Sequence, residues 1–188
     1  MHTSATDVLF PVNAVSPRTA DEQRFAALLS TYAGPLQRLC ALYERNAAER
    51  DDMMQEIAFA LWRALPTFRG DCSERTFIFR IAHNRVLSWR FRRRLSTEPL
   101  DAAADVVDGG PGPDDRLERA SERAHLLSAL RQLPEHLREP VVLRLEGLSD
   151  REISGVMGIS EGNVAVRLTR ARQALRVIFE TSPPSDRP

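Results

Sequence analysis

The stretch Leu148-Ser149-Asp150-Arg151-Glu152-Ile153-Ser154-Gly155-Val156-Met157-Gly158-Ile159-Ser160-Glu161-Gly162-Asn163-Val164-Ala165-Val166-Arg167-Leu168-Thr169-Arg170-Ala171-Arg172 decides the fold. It reads as two helices joined by a tight turn. Ser149 is an N-cap, and Glu152 three residues later completes a capping box. Gly158 can take the left-handed conformation that ends the first helix. Ser160 caps the second, whose N-terminus then suits phosphate. Val164, Leu168, Ala171, Leu175 and Ile178 recur at four- and three-residue steps and form one apolar stripe. Arg167, Arg170 and Arg172 fall off that stripe. A capped helix-turn-helix with a basic, exposed second helix enters a DNA major groove. The same pattern also fits a plain helical hairpin with a solvated charged face.

The chain has 188 residues, enough for one large domain or two small ones. With 43% hydrophobic residues, 6% aromatics and 9 Gly, it suits helices better than β-sandwiches. Formal net charge is zero, yet the charge is segregated. Residues 73–95 hold seven Arg against one Glu, residues 96–125 eight acids against three Arg, and residues 160–179 four Arg against one Glu. Two basic blocks flanking an acidic one predict two nucleic-acid-facing surfaces. All 26 basic residues are Arg, which can bind phosphate or guanine with two hydrogen bonds at once. Cys40 and Cys72 lack a CxxC partner and the four His are scattered, so neither a metal site nor a disulfide framework is expected. The expected chain is reduced and cytoplasmic. It shows no signal-peptide pattern and no apolar run near the ~20 residues of a membrane helix.

Along the chain, residues 1–20 read as a flexible tail. A helix follows with Phe25, Leu28, Leu29, Tyr32, Leu36, Leu39 and Cys40 on its apolar positions; Gly34-Pro35 predicts a kink or break. A second runs from about Glu49 to Leu65, where Pro66 ends it, with Met53, Ile57, Ala60, Leu61 and Ala64 on one face. A loop covers residues 67–73. A third helix runs from about Ser73 to Leu95, with Phe77, Ile81, Val86 and Trp89 among its apolar positions. Residues 96–116, acidic and rich in Pro and Gly, read as a flexible linker. A second helical unit occupies residues 117–180, with Leu126, Leu127, Leu130 and Leu133 on the core face of its first helix. Pro134 can open the next helix, and Pro140 implies a kink or later start. Residues 181–188 form a tail. The expected fold is all-α: two small helical domains joined by a flexible acidic linker, the second carrying the helix-turn-helix.

Three features of residues 21–95 bear on function. Asp51, Asp52 and Glu56, with Gln55, form either a solvated helix start favoured by the dipole or a docking face for a basic partner. The loop Phe68-Arg69-Gly70-Asp71 has a glycine for a sharp turn and an aromatic that is either a core anchor or a stacking platform. In the helix from Thr76 to Arg90, Arg and aromatic residues interleave with a buried stripe. That surface either contacts phosphates and unpaired bases or is an ordinary basic helix with core aromatics. Asn84 carries both a donor and an acceptor for a base edge.

Together these segments resemble bacterial sigma factors of the extracytoplasmic-function group. Asp51-Asp52-Met53-Met54-Gln55-Glu56, Leu61-Trp62-Arg63-Ala64-Leu65, Phe68-Arg69-Gly70-Asp71 and Thr76-Phe77-Ile78-Phe79-Arg80-Ile81-Ala82-His83-Asn84 resemble the family's region 2. Leu133-Pro134, Leu137-Arg138-Glu139, Glu146-Gly147-Leu148-Ser149 and the helix-turn-helix resemble region 4. The resemblance implies that Asp51, Asp52, Gln55 and Glu56 dock on the clamp coiled coil of the largest subunit of core RNA polymerase, with the flap region a further contact. It implies −10 recognition and melting by Phe68, Arg69, Gly70, Asp71 and Asn84, which capture a flipped base. Arg80, Arg85, Trp89, Arg92 and Arg93 lie beside them toward nearby phosphates. It implies −35 contacts by Asn163, Val166, Arg167 and Arg170, with Ser160, Arg172 and Arg176 toward phosphate. Ala165-Val166 stand where many family members have a basic residue and a Ser, which shifts readout toward apolar contact. The resemblance further implies promoter DNA and an anti-sigma protein as partners, no cofactor, no metal, no membrane insertion and no catalytic chemistry. The other reading is a stand-alone helix-turn-helix regulator, which leaves the acidic and the aromatic-basic helices without a task.

Overall fold

The computed structural model describes the backbone of residues 20–96 and 114–181, with side chains over 20–95 and 123–181. The expected tails and most of the expected linker lie outside the described residues. The described backbone folds into seven helices: α1 (Ala20–Ala41), α2 (Ala47–Ala64), α3 (Glu74–Ser96), α4 (Asp114–Gln132), α5 (Glu135–Leu145), α6 (Asp150–Met157) and α7 (Glu161–Thr181). The fold is all-α, as expected.

Local chemistry sets the helix ends. Asn46 caps α2 by accepting from Glu49 N at 3.2 Å. Leu65–Thr67 forms a single 3-10 turn around Pro66 where α2 stops. Ser73 caps α3 by accepting from Thr76 N at 3.1 Å. Both halves of the capping box at α6 are present, and Gly158 closes α6 at φ 67°.

At both prolines the helix runs on: the expected break at Pro35 and the expected later start at Pro140 do not occur. Each proline removes one backbone hydrogen bond. Packing on either side outweighs that loss. Leu36, Leu39 and Cys40 are fully buried beyond Pro35, and Pro140 itself is buried between Glu139 and Val142. Each fully buried large apolar side chain contributes about 1.5–3 kcal/mol.

In the first unit α1, α2 and α3 pack around Leu36, Leu39, Met53, Ile57, Ile78, Phe79, Ala82 and Val86. In the second, α4–α7 pack around Leu130, Leu133, Leu143, Ile153, Val164 and Ala171. Leu126 is 37% exposed rather than core; α4 presents Ala129 and Leu130 inward, Leu133 is buried just past its end, and Leu126 stays on the rim.

The two units share one continuous apolar cluster, with α3 packed on α6 and α1 on α5, and polar pairs stitch the junction. Glu139 of α5, 3% exposed, accepts from Tyr43 Oη at 2.9 Å and from His83 Nδ1 at 2.6 Å. Burial, with the Glu139 carboxylate beside it, pushes the Tyr43 phenol up from its ordinary pKa. Arg38 grips Glu146 with two bonds of 2.6 and 2.8 Å. Arg131 donates twice to Ala41 O, at the end of α1. Arg90 and Arg94 both reach Glu135.

Glu152 serves the cap and the junction together. Its carboxylate accepts from Ser149 N and from Ser73 Oγ, both at 2.9 Å. Those bonds, that from Ser149 N first, hold its pKa below the ordinary 4.5. A carboxylate depressed in the folded state adds stability that is present above its unfolded pKa and fades as pH falls through the folded one. Thermal melts are therefore expected to show Tm falling as pH drops below about 4.5, with a shallower fall in Glu152→Gln. Equal slopes for both proteins would refute this.

Candidate functional site

The helix-turn-helix presents one face of α7 to solvent. Val164 and Ala171 are fully buried, with Leu168, Leu175 and Ile178 packed against the same core. That anchored stripe turns Asn163, Val166, Arg170, Arg172 and Arg176 outward. Val166 is 48% exposed, an apolar side chain available to a thymine methyl. Ser160 Oγ accepts from Asn163 N at 3.3 Å and caps the helix. Arg167 Nε donates to Asn163 Oδ1 at 3.0 Å. This bond spans one helical turn and holds the Arg167 side chain against Asn163. The sequence named both residues but not their pairing. All seven residues expected at the −35 element lie on this one helix or its cap.

The residues expected at the −10 element lie in several different settings. Gly70 takes φ 81°, and Arg69, Gly70 and Asp71 are exposed at the loop before α3. Phe68 is half-buried, with its ring 4.6 Å from that of Phe77 and the Arg24 guanidinium 5.5 Å from its centroid. Its ring is thus an anchor for the loop. Asn84 and Arg85 are exposed on α3. Arg80, one turn before Asn84, donates from Nε to Gly155 O of α6 at 2.9 Å. Trp89 is half-buried with Arg92 5.6 Å above its ring, and its Nε1 is buried without a hydrogen-bond partner.

Arg92 and Arg93, the other two residues expected at the −10 element, meet carboxylates. Arg92 donates to both oxygens of Glu56 at 2.7 Å, and Arg93 pairs with Glu44 and Glu49. The acidic face of α2 is therefore tied to α3. Asp51, Asp52 and Gln55 remain exposed, whereas Glu56 is half-buried. Sequence reasoning missed Phe59, 63% exposed one turn beyond Gln55, and Arg63 after it. Both line an open cleft of about 580 Å³ with Glu56, Arg85 and Arg92. The i, i+4, i+8 spacing of Gln55, Phe59 and Arg63 was the available signal. Cys40 is fully buried, and burial pushes its thiol up to about 12, which disfavours the thiolate at neutral pH.

Comparison with known proteins fits this geometry. The Sigma-70 region 2 family matches residues 28–96, and Sigma-70, region 4 matches residues 123–175. The RNA polymerase sigma-H factor of Pseudomonas aeruginosa is 32% identical over 165 residues, covering 82% of this chain and 86% of that protein. The ECF RNA polymerase sigma-E factor of Escherichia coli is 31% identical with the same coverage. A solved structure of CnrH in complex with the cytosolic domain of CnrY superposes with a TM-score of 0.62 at 28% identity, covering 85% of this chain and 90% of that one. The region 2 match gives the acidic and aromatic-basic helices a task, which a stand-alone helix-turn-helix regulator does not. Matched in both regions and along most of its length, the chain belongs to the extracytoplasmic-function group of sigma-70 RNA polymerase sigma factors.

Proposed function

We propose that the two units divide the work of a sigma factor, with residues 21–95 docking and melting and residues 117–180 reading the −35 element. Asp51, Asp52, Gln55 and Glu56 meet the clamp coiled coil of the polymerase largest subunit, and Phe59 adds an apolar centre to that face. Asn84 and the loop Phe68 to Asp71 capture a −10 base as the duplex opens. Arg80, Arg85, Trp89, Arg92 and Arg93 hold the strand beside it. Ser160, Asn163, Val166, Arg167, Arg170, Arg172 and Arg176 engage the −35 major groove and its phosphates. The chain does no covalent chemistry; the polymerase supplies it. One observation carries the reading: two arginine-bearing helices, α3 and α7, in one chain with an acidic face on α2.

Control by an anti-sigma protein is supported by CnrH, which was solved with the cytosolic domain of CnrY. No helix among the described residues is long and apolar enough to cross a membrane. A cytoplasmic site of action follows from the need to reach polymerase and DNA.

Run-off transcription with core polymerase on a pool of genomic promoters tests the whole reading. New, discrete start sites are expected only when the protein is added. Asn84→Ala is expected to lower open-complex formation about tenfold, the order of one lost base-edge contact, while leaving core binding intact. Duplex binding by the protein alone, with no new starts, would return the answer to a stand-alone regulator.

A further inference from the structure

Seven arginines lie on α3, and six of them have protein partners. Arg92 holds Glu56, and Arg93 pairs with Glu44 and Glu49, all within the first unit. Arg90 and Arg94 reach Glu135, while Arg75 and Arg80 donate to Gly147 O and Gly155 O of the second unit. Arg85 is exposed and, among the described residues, has neither an ion pair nor a hydrogen bond. It lines the open cleft of about 580 Å³ between α2 and α3. From the other side α2 supplies Arg63, which also has no carboxylate among the described residues. The Arg63 guanidinium lies 5.8 Å from the centroid of the Phe59 ring, a contact that steadies it without neutralising it. Ala60 and Ala64 leave the cleft its room. Its third arginine, Arg92, is cancelled by Glu56, so Arg63 and Arg85 face one space with their charge uncompensated.

We propose that Arg63 and Arg85 form a two-arginine seat for one phosphate of the opened −10 strand, so that α2 holds DNA as well as polymerase. The inference rests on the proposed capture of a −10 base by Asn84. Asn84 immediately precedes Arg85, and both are exposed on α3. Successive side chains on a helix point about 100° apart, so the base site and the seat lie on adjoining faces. A guanidinium offers phosphate two parallel N–H donors, and two guanidiniums on different helices grip it from two sides. A cleft lined by one sign of charge also gathers the opposite sign before contact is made. Arg85 gives up no protein partner when phosphate enters, whereas Arg92 and Arg93 must each release a carboxylate first. An acidic helix of polymerase is the other occupant with this chemistry; the place of the seat beside Asn84 favours the strand.

The salt dependence of strand binding tests the seat. Core polymerase assembled with the full-length protein is titrated, at a series of salt concentrations, with a single-stranded −10 oligonucleotide taken from a start site mapped by run-off transcription. On single strands each neutralised phosphate adds about 0.7 to the slope of log affinity against log salt. Arg63→Ala and Arg85→Ala are each expected to make that slope shallower by about 0.7. The double variant should lose no more than either single one, because both arginines hold the same phosphate. Arg63→Lys keeps the charge and should keep the slope. An unchanged slope in Arg63→Ala overturns the seat, and so does a double variant that loses the sum of the two. Weaker binding of Arg63→Ala to core polymerase without DNA also overturns it and gives the cleft to an acid of polymerase. Asn84→Ala separates the seat from the reading beneath it. If Asn84→Ala binds the oligonucleotide as the parent does, or no start site is found at all, the −10 assignment of α3 fails and the seat falls with it. If Asn84→Ala weakens binding and Arg63→Ala changes nothing, only the seat fails.

Discussion

Glu139→Ala is expected to destabilise the free protein by about 2–4 kcal/mol, measured by denaturant unfolding. Glu139 is 3% exposed and has two partners from the other unit, Tyr43 and His83. Alanine removes both acceptors and leaves a phenol and an imidazole buried. Each buried polar group left unsatisfied costs about 1–3 kcal/mol, and removing one member of a buried charged cluster lies at the upper end. Glu139→Gln keeps one acceptor and should recover part of the loss. Glu139→Leu fills the volume and should not, because Tyr43 stays unpaired. A variant set within about 0.5 kcal/mol of the parent, the range of ordinary surface changes, would show that the cluster contributes nothing.

Arg167→Ala is expected to weaken binding to −35 duplex by about 1–3 kcal/mol, ten- to a hundred-fold, and to relax preference at one base pair. The argument rests on preorganisation. The bond from Arg167 Nε to Asn163 Oδ1 at 3.0 Å fixes a side chain that would otherwise lose much of its freedom on binding. Asn163→Ala should therefore cost less but also blur the same position. Arg176→Ala, toward phosphate, should weaken all sequences alike and reduce the salt slope by about one. Competition binding against a randomised −35 library separates these cases. An Arg167→Ala protein with unchanged affinity and unchanged preference would remove this residue from the recognition surface.

The helix-turn-helix was legible because its signals are local. Ser149, Glu152, Gly158 and Ser160 act within four residues of their partners, and each sits where the sequence pattern places it. The power of the prolines to stop a helix was over-read for the opposite reason. Pro35 and Pro140 are unfavourable locally, and burial contributed by distant chain overrides them. Phe79, among the largest fully buried side chains, escaped the core face read on α3 because Phe77, Ile78, Phe79 and Ile81 crowd several faces at once. Glu139 could not be found at all. It is one of two acids on an 11-residue helix that also carries two Arg and a His, and its partners stand 56 and 96 residues away. The candidate site followed the same division. Its residues were named from motif order, but the pairings of Arg92 with Glu56 and of Arg93 with Glu44 and Glu49 cross between elements that no window of sequence spans.

On α7 the residues that hold the helix in place and those proposed to face DNA are almost disjoint. Val164, Leu168, Ala171, Leu175 and Ile178 pack inward; Asn163, Val166, Arg170 and Arg172 are turned to solvent. Exposed substitutions usually change stability by less than about 0.5 kcal/mol. A duplicated copy of this chain can therefore change its outward face one residue at a time and remain folded at every step. New promoter preferences are reachable by drift along a path with no unfolded intermediate. Arg167 is the exception: half-buried and tied to Asn163, it is the position where a change of specificity and a change of local order arrive together.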